Sequence, residues 1–242
     1  MKYGIFSDIH SNTEALDAVI SLFKKEGVEK YLCIGDIVGY GAEPRECIAK
    51  IRELNAEGVG GNHDWASVGL LSDEYFNTYA REAIRWTRGI LTTNDITFLR
   101  SLKSVYTTGE ITLVHGSLDF PEEFHYIFDV ESATSTLELL KTQICFVGHS
   151  HLPMILSLSP DGAIHVHRTG SVVMEEGSRY LVNVGSVGQP RDGDPRSACA
   201  VYDADKGLVE IRRVSYNILS TQQKIIRAGL PRVLATRLSE GR

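Results

Sequence analysis

Long hydrophobic runs are missing from this sequence. Although 43% of its 242 residues are hydrophobic, no stretch approaches the ~20 consecutive apolar residues that a membrane-spanning helix needs. Met1 and Lys2 lead directly into a strand-like run at residues 3–6, without the apolar core of a signal peptide. These two absences predict a cytoplasmic protein that has no membrane partner.

Cysteine is scarce as well. The four cysteines, Cys33, Cys47, Cys145 and Cys199, form no C-x-x-C pair, which disfavours a cysteine metal site and a disulfide framework. Cys33 and Cys145 lie inside apolar runs, where cysteine is usually a small buried hydrophobe. We therefore expect a reducing compartment and free thiols.

Positive charge is not in excess, because 25 Lys and Arg face 31 Asp and Glu, a net charge of −6. This balance argues against bulk binding of nucleic acid or of an anionic membrane. It leaves open a small phosphorylated substrate held by metal ions. No Pro/Gly/Ser-rich linker divides the chain, so we expect a single domain over residues 1–242, and an oligomer is compatible with the sequence.

The order of elements predicts an α/β fold. Apolar runs at residues 2–7, 31–34 and 57–60 alternate with amphipathic helical patterns at 13–27 and 43–55, which is a βαβαβ unit with a parallel sheet. Further along, residues 73–103 have a helical pattern with a Tyr75–Trp86 stripe that we assign to the core. Short strands then dominate residues 153–214 and a helix is expected at 218–240. Two packed sheets flanked by helices are the predicted architecture.

Polar side chains follow five of the strand-like runs. Residues two apart on a strand point to the same side, so Asp8 is expected to converge with His10, and His149 with His151. Imidazole, carboxylate and amide oxygen suit borderline divalent ions. Seven ligands exceed the need of one ion, and a carboxylate shared between two ions accounts for the number. The polar residues at the five ends are Asp8 and His10, Asp36, Asn62 and His63, His115, and His149 and His151, of which all except His63 are the seven ligands.

Each of these positions has a structural explanation when it is taken alone. Asp8 could cap the following helix, Asp36 could belong to a simple turn, and His115 could be a satisfied, partly buried histidine. These explanations would have to coincide at five successive strand ends. A dinuclear metal centre is therefore the favoured interpretation.

Six motifs follow one another along the chain: DxH at residues 8–10, GDxxG at 35–39, GNHD at 61–64, His115 before Gly116, GHxH at 148–151 and NVGSVG at 183–188. In this order, they resemble the motifs of the calcineurin-like metallophosphoesterases and of their compact bacterial phosphodiesterase subgroup. The resemblance implies a four-layer αββα sandwich of two mixed β-sheets flanked by helices.

The resemblance also implies a role for each motif residue. Asp8, His10, Asp36 and His151 would hold the first ion, and Asp36 would bridge to a second ion completed by Asn62, His115 and His149. The ions would be two divalent transition metals, Mn, Fe, Zn, Co or Ni, with Mn favoured.

The implied reaction is in-line attack of a metal-bridging hydroxide on phosphorus. Asn62 and His63 would contact the phosphate, His63 would protonate the leaving oxygen as general acid, and Asp64 would orient the His63 imidazole from behind. Phosphodiester or phosphoanhydride bonds of small nucleotides are the expected substrates, cyclic nucleotides or dinucleoside polyphosphates among them.

Two further residues are substrate-binding candidates. Arg191 lies on a Gly- and Pro-rich loop and could grip a second phosphate or ribose oxygens, with a solvated loop as the alternative. Tyr40 follows Asp36 and could contact a base or leaving group, with ordinary loop packing as the alternative.

Different functions on the same fold remain open. The GDxVxRG and RGNH arginines typical of protein phosphatases are absent, since Tyr40 and Gly60 stand at those positions, and this demotes a protein phosphatase. A phosphomonoesterase and a non-catalytic metal-binding scaffold or sensor are also compatible with these motifs.

Overall fold

Twelve strands and eight helices make up the fold of the computed structural model, which describes residues 1–168 and 170–242. The strands are β1 (Lys2–Phe6), β2 (Lys30–Cys33), β3 (Glu57–Gly58), β4 (Val105–Thr108), β5 (Ile111–Val114), β6 (Ile144–Val147), β7 (Met154–Leu158), β8 (Ile164–Val166), β9 (Ser171–Val173), β10 (Arg179–Asn183), β11 (Ser197–Asp203) and β12 (Leu208–Val214). The helices are α1 (Thr13–Glu26), α2 (Pro44–Glu53), α3 (Asn62–Ser67), α4 (Thr78–Ile90), α5 (Thr93–Ser101), α6 (Val130–Leu139), α7 (Ile218–Arg227) and α8 (Arg232–Thr236).

The strands form two mixed six-stranded sheets. The first has the order β3-β2-β1-β11-β12-β9, and its β1, β2 and β3 run parallel as the βαβαβ pattern predicts. The second has the order β4-β5-β6-β10-β7-β8, with β5, β6 and β10 parallel. The predicted sandwich of two mixed sheets flanked by helices is confirmed.

Side-chain alternation along the strands creates the layers. In β1, Ile5 enters the core between the two sheets, whereas Phe6 packs toward the helices on the outer face. In β6, Phe146 lies between the sheets and Cys145 faces the layer that contains α6. Successive strand residues point to opposite faces, so each sheet buries one face against its partner and the other against helices.

Helix α1 has the local signals that its sequence predicts. The Asn12 side chain accepts a hydrogen bond from the Ala15 amide at 3.1 Å, which satisfies a free amide of the first turn. Gly27 ends the helix with φ of 70°, a left-handed conformation that glycine adopts at little cost.

The carboxyl-terminal helices pack against α1 and α4. Leu234 of α8 and Ile225 of α7 share an apolar cluster with Tyr40 and with α4. Lys224 of α7 fastens this segment, because its ammonium group contacts Glu14 at 2.5 Å and Glu43 at 2.6 Å. The segment thereby reaches the loop that follows β2.

The sequence interpretation is wrong in some details. Residues 73–103 form a short 3₁₀ turn at Asp73–Tyr75 and then α4 and α5, and the Tyr75–Trp86 stripe is not uniformly core. Tyr75 is 86% exposed and Tyr79 is 49% exposed, whereas Ile84 is fully buried. The residues before α4 do not continue its helical periodicity, so Tyr75 faces away from the core. The sequence patterns do not predict strands β4 and β9.

No helix in the described part of the chain is long and apolar enough to cross a membrane.

Candidate metal centre

The side chains predicted as metal ligands lie beyond the carboxyl ends of parallel strands from both sheets. Asp8 follows β1, Asp36 follows β2, and His115 follows β5. His149 comes directly after β6, and Asn62 begins α3. Strand ends of this kind are where α/β sheets bind ligands. The packing of the two sheets brings residues distant in sequence to one buried point.

Asp8 and His10 converge as predicted, whereas His149 and His151 lie in different groups of potential ligands. The geometric reason given from the sequence is wrong for both pairs. Asp8 and His10 have φ of 52° and 50°, Asp36 has 50°, and His149 and His151 have 64° and 61°. These residues are in left-handed turns rather than on one pleated strand. Such values are uncommon for non-glycine residues and cost about 1–3 kcal/mol each, and they cluster at functional sites.

Asp8, His10 and His151 form the first group of potential ligands. The Asp8 Oδ1 atom lies 3.2 Å from His151 Nε2 and 3.9 Å from His10 Nε2. The Asp8 Oδ2 atom accepts a hydrogen bond from the His149 amide at 3.0 Å. The backbone therefore holds one carboxylate oxygen and leaves the other for an ion.

Asp36, His115 and His149 form the second group. The Asp36 Oδ1 atom accepts a hydrogen bond from the His63 amide at 2.9 Å. Its Oδ2 atom lies 3.4 Å from His115 Nε2 and 3.6 Å from His10 Nε2. Asp36 thus faces ligands of both groups, as a shared carboxylate must.

Backbone carbonyls determine which nitrogen of each histidine faces the centre. The Nδ1 atom of His10 donates to the Val38 carbonyl at 3.1 Å, and that of His115 donates to the Ile34 carbonyl at 2.6 Å. The Nδ1 atom of His151 donates to the Gln189 carbonyl at 2.5 Å. Because a carbonyl oxygen only accepts, each neutral ring presents an Nε2 lone pair inward.

This arrangement fits bound cations. His10 Nε2 and His151 Nε2 are only 3.1 Å apart, and two lone pairs at that distance repel each other unless a proton or a metal ion lies between them. Burial disfavours the protonated form of both rings, which favours the metal ion. Asp8 Oδ1, Asn62 Oδ1 and His115 Nε2 are buried and have no hydrogen-bond partner in the described chain. Buried polar atoms normally have partners, so these atoms have the character of metal ligands.

Burial keeps three of the histidines in the neutral form that binds metal. It lowers the pKa of His10 and His149 well below the usual histidine value, and it also lowers the pKa of His151. A neutral imidazole is the ligand form.

His115 differs from the other histidines. Burial opposes its charge too, but the carboxylates of Asp36 and Asp8 outweigh burial and raise the pKa of His115 to about 9. In turn, although burial opposes it, the charge on His115 helps to hold the pKa of Asp36 below the usual range. Since metal ligands must be deprotonated, a cation at these oxygens competes with the proton on His115.

His63 lies beside the ligands without a carbonyl anchor. Its Nδ1 atom is buried and has no hydrogen-bond partner among the described residues, and burial lowers the pKa of His63 to about 4. A Cβ at Gly39 would lie 2.5 Å from that Nδ1, so the glycine makes room for the ring. His63 also groups with His10 and Asp36, and distance alone therefore allows it as a ligand.

Asp64 does not orient His63, contrary to the expectation from the sequence. Its Oδ1 accepts from the Val38 amide at 3.1 Å, and its Oδ2 accepts from the Gly61 amide at 3.0 Å. Within the described chain the His63 Nδ1 atom has no partner, Asp64 included. Asp64 is the third residue of α3, so its carboxylate turns back to the free amides at the helix start. It joins the loops that follow β2 and β3.

An aromatic cavity of about 560 Å³ opens beside the ligands. The Tyr126 ring stacks on His149 with 3.8 Å between centroids and 15° between planes, and Phe76 meets His63 edge-on at 5.0 Å. The exposed Tyr75 lies at this cavity. Phe76, Phe124 and Tyr126 were not among the residues predicted for the site, although the aromatic run FHYIF at 124–128 was an available signal. Aromatic residues that line the cavity include Tyr40, Tyr75, Phe76, Phe124 and Tyr126.

Arg191 and Tyr40, the two substrate-binding candidates, are in contact. The Arg191 Nη2 atom donates to the Tyr40 hydroxyl at 3.3 Å and to Gln189 Oε1 at 3.0 Å. Tyr40 packs against the rings of His10 and His63, with centroids 4.6 Å and 4.5 Å away. Both residues therefore border the metal centre.

Comparison with known proteins agrees with this geometry. Residues 1–207 match the calcineurin-like phosphoesterase superfamily domain. The chain is 39% identical over 245 residues to an uncharacterized protein of Methanocaldococcus jannaschii, which covers 99% of this chain and 98% of that protein. A metallophosphoesterase structure from Sphaerobacter thermophilus is 41% identical with a TM-score of 0.87, over 100% of this chain and 99% of that one. A hypothetical protein from Pyrococcus horikoshii OT3 shares the fold at 20% identity and a TM-score of 0.81, over 100% and 98% of the two chains.

Proposed function

Because this chain belongs to the calcineurin-like phosphoesterase superfamily and is a metal-dependent phosphoesterase, we propose that it hydrolyses phosphodiester or phosphoanhydride bonds of small nucleotides. The candidate substrates are cyclic nucleotides and dinucleoside polyphosphates. The observation that carries the proposal is two adjacent ligand groups at the wall of an aromatic cavity. The Asp36 carboxylate lies 3.4 Å from His115 of its own group and 3.6 Å from His10 of the other.

Seven residues would hold two divalent ions, with Mn favoured. When bound, such a pair of ions supplies a nucleophilic hydroxide near neutral pH and neutralises phosphate oxygens. Main-chain groups of the protein orient the ligand atoms. Three carbonyls accept hydrogen bonds from imidazoles, and two amides donate to one oxygen of Asp8 and one oxygen of Asp36. The ligands are Asp8, His10, Asp36, Asn62, His115, His149 and His151.

His63 would give the proton to the leaving oxygen. Because burial lowers its pKa to about 4, this role requires that the negative charge of a bound phosphate raise that pKa. The His63 Nδ1 atom packs against Gly39, which leaves Nε2 as the nitrogen for that transfer, and the residue lines the cavity beside Asn62. This position supports the proposal that both residues contact a phosphoryl group. General acid catalysis of this kind contributes ~10²–10⁴-fold.

The cavity supports a nucleotide rather than a bare phosphate ester. Tyr126 stacks with His149 and with Phe128, and both Tyr126 and Phe124 line the cavity. Stacking of a base on an aromatic side chain is worth about 1–3 kcal/mol. A phosphate at the metal centre with its base toward Tyr126 would use both features.

The cytoplasmic location and the single domain over residues 1–242 stay predictions.

The test is hydrolysis of bis(p-nitrophenyl) phosphate and of p-nitrophenyl phosphate by the Mn-loaded protein, with Asp36→Asn as the control. We expect turnover of the diester that exceeds turnover of the monoester and is lost in Asp36→Asn. Faster turnover of the monoester would replace the proposal with a phosphomonoesterase. No turnover of either ester at full metal occupancy with Mn, Fe, Zn, Co or Ni would favour a metal-binding scaffold or sensor.

A further inference from the structure

Two arginines approach the same tyrosine ring at the edge of the metal centre. The Arg191 Cζ atom lies 5.7 Å from the centroid of the Tyr40 ring, and the Arg237 Cζ atom lies 5.8 Å from it. Arg237 follows α8 and comes from the carboxyl-terminal segment, beyond residues 1–207 that match the family domain. No sequence motif singles it out.

Neither guanidinium is neutralised by an acidic side chain. Within the described residues, no Asp or Glu side chain forms an ion pair with Arg191 or Arg237. Arg191 donates to the Tyr40 hydroxyl and the Gln189 amide oxygen, and its Nε is buried without a partner. Arg237 Nε donates to the main-chain oxygen of Arg242 at 2.7 Å.

The positive charges of Arg191 and Arg237 repel each other at these positions. Both side chains are half-buried, and burial together with the nearby Arg191 charge lowers the pKa of Arg237. Desolvated cations of this kind require compensation. An anion between or beside the two guanidiniums would supply it, and planar guanidinium groups suit phosphate oxygens.

The pair also lies in the right place for a substrate group. Tyr40 packs on His10 and His63, and the Arg191 amide approaches the His151 carbonyl at 3.4 Å. The arginines are thus adjacent to the first ligand group, whereas Tyr126 covers His149 of the second. The ion pairs of Lys224 with Glu14 and Glu43 fasten the segment that carries Arg237.

Building on the proposed function, we propose that Arg191 and Arg237 form a subsite for a second, non-scissile phosphate of the substrate. The subsite favours nucleotides with two or more phosphates over substrates with only the scissile one. Arg237 acts there as a specificity residue contributed by the carboxyl-terminal segment. The scissile phosphate remains with the metal centre and His63.

The test compares binding of AMP and of α,β-methylene-ADP, a non-hydrolysable analogue with one more phosphate group, by calorimetry at one fixed excess of Mn. The wild-type chain is measured beside Arg237→Ala, Arg237→Lys and Arg232→Ala. Arg232 is an exposed arginine at the start of α8, the helix that precedes Arg237, and is the matched control. Thermal unfolding of each variant verifies that the carboxyl-terminal segment stays folded.

We expect the wild type to prefer the diphosphate analogue, and Arg237→Ala to lose about tenfold of that preference, because it removes a charged hydrogen-bond donor to the second phosphate. Arg237→Lys should recover part of the preference, and Arg232→Ala should keep all of it. An unchanged preference in Arg237→Ala would overturn the proposal. An equal loss for AMP and the analogue would also overturn it, because the arginines would then serve the scissile phosphate.

This outcome is separable from that of the proposed function. If the wild-type chain turns over no phosphodiester, and Arg237→Ala still abolishes the preference for the diphosphate analogue, the subsite is supported and the proposed phosphodiesterase activity is refuted. Diester turnover with an unchanged preference would refute the subsite alone.

Discussion

Different interactions hold the metal ligands and the rim of the aromatic cavity, which we define as Tyr40, Tyr126, Arg191 and Arg237. At the centre, main-chain groups fix the ligands, as when the Ile34 carbonyl holds His115 and the His149 amide holds Asp8. At the rim, side chains hold one another, as when Tyr126 stacks on His149 and Arg191 bonds Tyr40. The fold itself therefore fixes the ligands, whereas rim contacts can change without disturbing the sheets. We infer that the centre determines the reaction and the rim determines the substrate.

The largest effect is expected from Asp8→Asn. The Asp8 carboxylate accepts from the His149 amide with one oxygen and faces the ligands with the other. An asparagine has only one oxygen for these two tasks. We expect activity to fall more than about 100-fold with loss of metal, since even outer-shell changes cost 10–100-fold in affinity or activity.

Metal content by elemental analysis and turnover of bis(p-nitrophenyl) phosphate measure this change. Asp17→Asn, an exposed position on α1, is the matched control and should retain both. Full metal content and turnover in Asp8→Asn would contradict the assignment of Asp8 as a ligand.

His63→Ala should act on the chemistry while leaving the metal in place. We expect a loss of about 10²–10⁴-fold on substrates with poor leaving groups, and a much smaller loss on p-nitrophenyl esters, which need no proton at the leaving oxygen. Turnover of both classes and metal content are measured together, with the exposed His165→Ala as control.

Two results would refute the acid role. One is an equal loss on both substrate classes. The other is loss of an ion in His63→Ala, which would make His63 the ligand that its grouping with His10 and Asp36 allows.

A smaller effect is expected from Tyr126→Ala at the rim. Removal of the ring that covers His149 should weaken nucleotide binding by about 1–3 kcal/mol if a base stacks there, and should affect bis(p-nitrophenyl) phosphate less. KM values for a nucleotide substrate and for the generic diester measure the difference, with Tyr126→Phe as the ring-retaining control. The same loss on both substrates would argue that Tyr126 serves His149 rather than a base.

The sequence patterns predicted the two-sheet architecture, apart from strands β4 and β9, and they selected side chains that the fold brings close together. Local signals mark these parts: apolar runs mark strands such as β1 and β6, and polar residues at their ends mark Asp8 and His149. The mechanism of convergence was not predictable in the same way. The left-handed turns at Asp8, His10 and His151 depend on the packing of loops between two sheets, which strand periodicity does not contain.

The rim was the least predictable part of the site. Arg237 and Tyr40 are almost 200 residues apart in the chain, and only the docking of α7 and α8 brings them together. Tyr75 has the spacing of a core residue but precedes α4 and is exposed. Asp64 follows the helix start and binds amides there instead of His63. In each case, tertiary packing determined the position and contacts of the side chain, which the local sequence pattern does not contain.

The most direct test of the dinuclear centre is a crystal structure of the Mn-soaked protein with anomalous diffraction at the manganese edge. We predict two manganese peaks about 3.5–4 Å apart, with the Asp36 carboxylate between them. One ion should be bound by Asp8, His10 and His151, and the other by Asn62, His115 and His149. A single fully occupied ion, or two ions that share no ligand, would contradict the dinuclear centre.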